Sequence, residues 1–219
     1  MSSAFIVGAT GAVGSEVVKL LAESTKFKKV LILARRPVKS VENNSKFVQK
    51  IIDFENIGEN SEDVRGLGVA FCALGTTRGK AGADGFKRIE HDYVMNSAKL
   101  AKENGVKQFV LVSSRGADEN SSFLYFKTKG KVEREIAELG FEKFIIMRPG
   151  MIETKREEFR LGEIVGSVII KPMRCFSDKH SSSAVEIAKA MIYGVLEDGK
   201  GTVVYDNPKI IRDAKKYEA

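Results

Sequence analysis

Tryptophan is absent from this 219-residue chain, which holds only two cysteines, four prolines and two histidines. Cys72 and Cys175 cannot build a disulfide framework, and no CxxC pair or Cys/His cluster gives them zinc-ligand spacing. They suit a reducing compartment. No apolar run approaches the ~20 residues that span a bilayer, and the stretch 164–170 is broken by Gly166 and Ser167. The opening MSSAFIVGATG lacks both the basic start of a secretory signal and the Arg-rich pattern of a transit peptide. A cytoplasmic protein, with nuclear access open and no transmembrane segment, is therefore expected. Low-complexity tracts, Pro/Ser-rich linkers and internal repeats are also missing, so a single domain over 1–219 is expected.

Charge is abundant. Lys and Arg number 36 against 29 Asp and Glu, a formal balance of +7. That excess admits nucleic acid, an anionic membrane or a small polyanion. The chain shows no basic helix, helix-turn-helix or set of stacking aromatics, which argues against direct nucleic-acid binding. Lys26, Lys28 and Lys29, and Lys215 with Lys216, read as solvated faces. His91 and His180 stand apart in the sequence and read as surface residues rather than metal ligands.

Seven short apolar runs, 4–7, 30–33, 47–52, 69–74, 108–112, 143–147 and 202–205, alternate with segments of helical spacing at 14–23, 84–104, 123–139 and 183–196. Continuous apolar strands separated by helices imply a parallel sheet covered on both faces. The fold class is thus α/β, a doubly wound, seven-stranded Rossmann-type sheet. The charged, irregular stretch 151–180 is expected to be a small substrate-covering insertion toward the C-terminus.

The first run leads at once into GATGAVG (8–14) and then a helical run. Gly8, Gly11 and Gly14 permit a tight strand-to-helix turn and close backbone approach to a pyrophosphate. Such a turn within a βαβ unit predicts a dinucleotide site made by Gly8, Thr10, Gly11, Ala12, Val13 and Gly14. The second strand ends at Arg35 and Arg36, with no carboxylate to hold an NAD ribose. Two guanidiniums there favour a 2′-phosphate, hence NADPH/NADP. Asp53 is expected near the adenine. Leu74 and Gly75, with Arg78 and Lys80 beyond them, are expected to border the cofactor at the end of the fourth strand.

Tyr125 and Lys129 are four apart and share one helix face. Tyr205 and Lys209 repeat the spacing, but Pro208 lies between them and a continuous helix is excluded. Carbonyl reduction needs an acid for the forming oxyanion. A tyrosine of pKa ~10 becomes useful at neutral pH if about 4 kcal/mol of preferential stabilisation favours its phenolate. Lys129 would supply part of that and hold the nicotinamide ribose, while Ser113 or Ser114 would hold the substrate oxygen. The turn Arg148, Pro149, Gly150 is expected to bring backbone beside the nicotinamide carboxamide. An NADPH-binding regulator would need Arg35, Arg36 and the glycine turn but not the tyrosine chemistry.

Taken together, GATGAVG, ARR, ALGTTRGKAGADGF, HDYV, LVSSRGAD, FLYFKTKG and RPGM span almost the whole chain. This set resembles the atypical short-chain dehydrogenase/reductases, and closely the Tat-interacting-protein family of NADPH-binding oxidoreductases and tumour suppressors. The resemblance implies nucleotide contacts at Thr10, Gly11, Ala12, Val13, Arg35, Arg36, Leu74 and Gly75, an acid/base pair at Tyr125 and Lys129, and further cofactor contacts at Ile152 and Arg160. It also implies an unidentified small-molecule substrate, or protein partners in nuclear transport or transcription. The Asn of the usual catalytic tetrad has no counterpart in Ile89, Glu90, His91, Asp92, Tyr93.

Overall fold

A computed structural model describes residues 2–76, 78–153 and 181–218. Seven strands, β1 (Ser2–Val7), β2 (Phe27–Ala34), β3 (Phe47–Ile51), β4 (Val69–Cys72), β5 (Gln108–Val112), β6 (Lys143–Arg148) and β9 (Gly201–Asp206), form one sheet. Their order is β3-β2-β1-β4-β5-β6-β9, and every pairing is parallel. A parallel sheet needs crossovers that cover both faces, and the strand residues comply. Ala4 and Ile6 enter one core, Phe5 and Val7 the other, and all four are fully buried.

The helices α1 (Ala12–Glu23), α6 (Ala184–Leu196) and α7 (Asn207–Ala214) cover the first face. The second is covered by α4 (Tyr93–Glu103), α5 (Leu124–Glu138), the 3₁₀ segment Phe54–Asn60 and the short α2 (Ser61–Val64). Side chains close the helix ends. The Lys46 ammonium donates to the carbonyls of Leu21, Ala22 and Ser24 at 2.7–2.9 Å at the C-terminal end of α1. Ser183 and Glu186 form a capping box on α6.

The seven strands and their doubly wound order agree with the sequence. Three features differ from it. The helical segment expected over 84–104 begins earlier as α3 (Arg78–Lys87), breaks from helical geometry at Gly82, and passes through a π turn, Arg88–Asp92, into α4. Met151–Glu153 is strand β7, paired in parallel with β8 (Ser181–Ser183), so the start of the expected irregular insertion is ordered. Pro208 opens α7 instead of merely ending a strand, because proline suits the first turn of a helix and Asp206 caps it through the Lys209 N–H at 2.9 Å.

Candidate active site and cofactor crevice

From β1 the chain winds outward through β2 and β3, then returns to place β4 on the other side of β1. That reversal opens a crevice at the carboxyl ends of β1 and β4. The glycine turn stands there. Gly8 has φ +80°, and a Cβ on it would lie 2.4 Å from the Ala73 carbonyl carbon. On Gly14 a Cβ would lie 2.1 Å from the Gly8 oxygen. Gly8 is thus required for the turn to sit against the end of β4, and Gly14 for α1 to start close against the turn. Gly11 is the N-cap of α1 and offers no side-chain acceptor, nor does an acid occupy the first turn, so the Ala12 and Val13 end of the helix suits a phosphate. These residues fit a dinucleotide.

Arg35 and Arg36 follow β2 and are exposed, as binding to an incoming phosphate requires. Leu74 and Gly75 follow β4 at the same edge, half-buried and exposed respectively. Asp53 is committed locally, since its carboxylate caps the 3₁₀ segment through the Glu55 N–H at 3.0 Å. Ile152 packs against the first core from β7. Arg160, Cys175, His180 and the side chains of Arg78 and Lys80 lie outside the described residues.

Across the crevice, α5 carries the reactive candidates. Tyr125 is 40% exposed, its ring 6.0 Å from that of buried Phe86 and 5.4 Å from that of Phe126. One turn on, Lys129 is buried, and its ammonium lies 2.7 Å from the Glu90 carboxylate and 3.3 Å from the Val112 carbonyl. Burial works against the charge on Lys129, but Glu90 and the neighbouring Tyr125 phenol more than offset it and hold the ammonium protonated well above the ordinary lysine range. Burial pushes the nearby Cys72 thiol up to about 12, so it stays neutral.

The two serines diverge. Ser113 is buried and its hydroxyl donates to the Glu133 carboxylate, which Arg148 also grips through Nε at 3.1 Å to each oxygen. Ser114 is half-buried, its hydroxyl only 3.2 Å from its neighbour's carbonyl. The Arg148 side chain therefore locks α5 to the end of β6. Gly130 lets α5 lie against the segment that leads into it from β5, for a Cβ on it would lie 2.2 Å from the Glu119 nitrogen.

Glu90 and Glu133 were not singled out by sequence. For Glu90 a signal existed: Phe86, Glu90, Val94 and Ala98 recur every four residues and all are buried. A carboxylate in such a stripe needs a partner. His91, expected as an isolated surface residue, instead bridges Asp92 at 2.7 Å and Glu135 at 2.8 Å and ties the π turn to α5. Among the described residues no group of three or more His, Cys, Asp or Glu could hold a metal ion.

A family model described as NAD(P)H-binding matches residues 8–167, from the glycine turn past β6. The chain belongs to the NAD(P)H-binding family. Its cofactor is NAD(P)H. Within that family it groups with Protein HTATIP2 of Rattus norvegicus, 38% identical over 216 residues that cover 97% of this chain and 89% of the relative. The resemblance to the Tat-interacting-protein family is thereby borne out. Protein FMP52, mitochondrial, of Debaryomyces hansenii is 44% identical over 163 residues, 71% of this chain and 69% of the relative. A solved structure, MoeE5 in complex with UDP-glucose and NAD, superposes with a TM-score of 0.70 at 13% identity, covering 98% of this chain and 81% of that one. At that identity the likeness shows the Rossmann-type fold alone.

The names of these relatives correct one expectation. FMP52 proteins of Candida albicans and Coccidioides immitis, 42% and 37% identical, are also named mitochondrial. They overturn the cytoplasmic or nuclear location expected from composition and the opening residues. As for membranes, no helix among the described residues is long and apolar enough to cross one.

Proposed function

We propose that the chain is an NADPH-dependent oxidoreductase of the short-chain dehydrogenase/reductase type, acting on a small carbonyl or alcohol. The observation that carries this reading is the buried Lys129 ammonium, held by Glu90 and Val112 one helical turn from the exposed Tyr125. Bound NADPH supplies the hydride. Tyr125 gives its phenolic proton to the oxygen that becomes the alcohol, and Lys129 favours the phenolate left behind. Ser114 holds the same oxygen, because the Ser113 proton is already committed to Glu133. Arg35 and Arg36 take the 2′-phosphate, the glycine turn takes the pyrophosphate, and Leu74, Gly75 and Ile152 line the rest of the cofactor.

Tyr125→Phe tests the assignment. NADPH oxidation is followed by absorbance against a panel of aldehydes and ketones, with NADPH affinity measured in parallel. Turnover is expected to fall ~100-fold or more, with the NADPH Kd unchanged within about twofold. Undiminished turnover removes Tyr125 as the acid. Intact cellular function in the inactive variant would make the protein an NADPH-binding regulator that works through protein partners.

A further inference from the structure

Glu90 is only 1% exposed and stands on the π turn Arg88–Asp92, a local distortion that recurs at functional sites. One carboxylate oxygen accepts the Thr76 backbone N–H at 2.5 Å, and the other faces the Lys129 ammonium at 2.7 Å. A Cβ on Gly75 would lie 3.3 Å from the first oxygen, so the loop after β4 comes close because glycine is there. Filling this space with apolar side chains would spare the desolvation of two charges. The ion pair therefore needs a reason beyond packing, and its neighbours provide one: Thr76 belongs to the loop at the cofactor edge, and Lys129 to the reactive face of α5.

We propose that Glu90 is a positioning residue for the nicotinamide half of the cofactor, aiming Lys129 from one oxygen and fixing the Gly75–Thr76 backbone from the other. The inference rests on the role given to Lys129 above. Glu90 has no part in holding the adenosine half, which belongs to the glycine turn, Arg35 and Arg36. The titratable groups facing the pair are Cys72 from β4, whose thiol stays neutral, and Tyr125 from α5. Glu90 is thus the anion that keeps the buried lysine charged.

Glutamine at position 90 retains an oxygen for Thr76 but withdraws the charge, which isolates the lysine arm. Wild type, Glu90→Gln and Glu90→Asp are titrated from pH 6 to 9 with two probes, NADPH and adenosine 2′,5′-bisphosphate, the second lacking the nicotinamide half. In Glu90→Gln we expect NADPH affinity to fall about tenfold or more, the bisphosphate to stay within about twofold, and the NADPH loss to deepen as pH rises and the uncompensated lysine gives up its proton. Glu90→Asp keeps the charge on a shorter arm. It should lose less NADPH affinity, with the bisphosphate again unaffected and a flat pH profile, and it carries the test if the glutamine variant does not fold. Equal weakening of both probes, or unchanged NADPH affinity, overturns the inference. Lys129→Met, measured alongside, separates the two claims. Unchanged NADPH affinity there removes the role assigned to Lys129, whereas a loss there with none in Glu90→Gln removes the role of Glu90 alone.

Discussion

Arg35 and Arg36 gain their meaning from position. Many solvated arginines do nothing specific, but these two follow β2 beside the β1 glycine turn, at the edge where parallel sheets of this winding bind nucleotides. A charge-assisted hydrogen bond to phosphate contributes about 1.5–3 kcal/mol. Arg35→Ala should therefore raise the NADPH Kd by roughly 10- to 100-fold and leave NADH binding unchanged, as read by nucleotide fluorescence. Equal affinity of the wild type for NADPH and NADH would refute the phosphate clamp. At this scale the sequence was legible where chemistry depends on spacing along one element, as in Gly8 to Gly14 or Tyr125 to Lys129. It was opaque where partners come from separate elements. Glu90 meets Lys129 across two helices, and Ser113, Glu133 and Arg148 meet across β5, α5 and β6. Only the fold brings such groups together, and so the different surroundings of Ser113 and Ser114 could not be read from the sequence.

Elements that are long, apolar and buried were readable, since a parallel strand covered on both faces is a continuous apolar run. The three-residue strands β7 and β8 carry too little pattern to read, and α7 hid behind a proline that usually breaks helices. That last helix carries an ion-pair network along its own length. Asp213 is 1% exposed and lies 2.6 Å from Lys209, 3.1 Å from Arg212 and 3.1 Å from Lys216. Burial alone would raise its pKa, but hydrogen bonds from Lys209, Arg212 and Lys216 prevail and hold it at about 2, below the ordinary 3.8. Because the unfolded chain binds the proton more tightly, this carboxylate stabilises the fold above about pH 4, and the contribution is lost as pH falls toward 2. Asp213→Asn should cost about 1 kcal/mol at pH 7, after allowance for the exposure of its three partners. It should also flatten the fall in stability between pH 4 and 2, measured by urea unfolding at each pH. An unaltered acid limb would show that Asp213 does not carry it.

For the whole molecule, one sheet supplies a face to each of two cores, so neither core can unmake itself without exposing the back of the other. The described elements should therefore melt as one cooperative unit, with far-UV circular dichroism and tyrosine fluorescence giving coincident transitions; the lack of tryptophan leaves the tyrosine signal clean. The proposed NADPH site lies where β1, β2 and β4 end together, which is a feature of the folded sheet and of nothing local. NADPH should accordingly stabilise the whole unit. At a concentration of about 100 times its Kd the gain is about 2.7 kcal/mol, or a rise in Tm of roughly 5–10 °C for a chain of this size. Part of the +7 charge gathers at that edge as Arg35 and Arg36, so the shift should shrink at high salt as the phosphates are screened. Two separated transitions, only one of them moved by NADPH, would instead divide the chain into a nucleotide-binding part and a second unit that folds without regard to it.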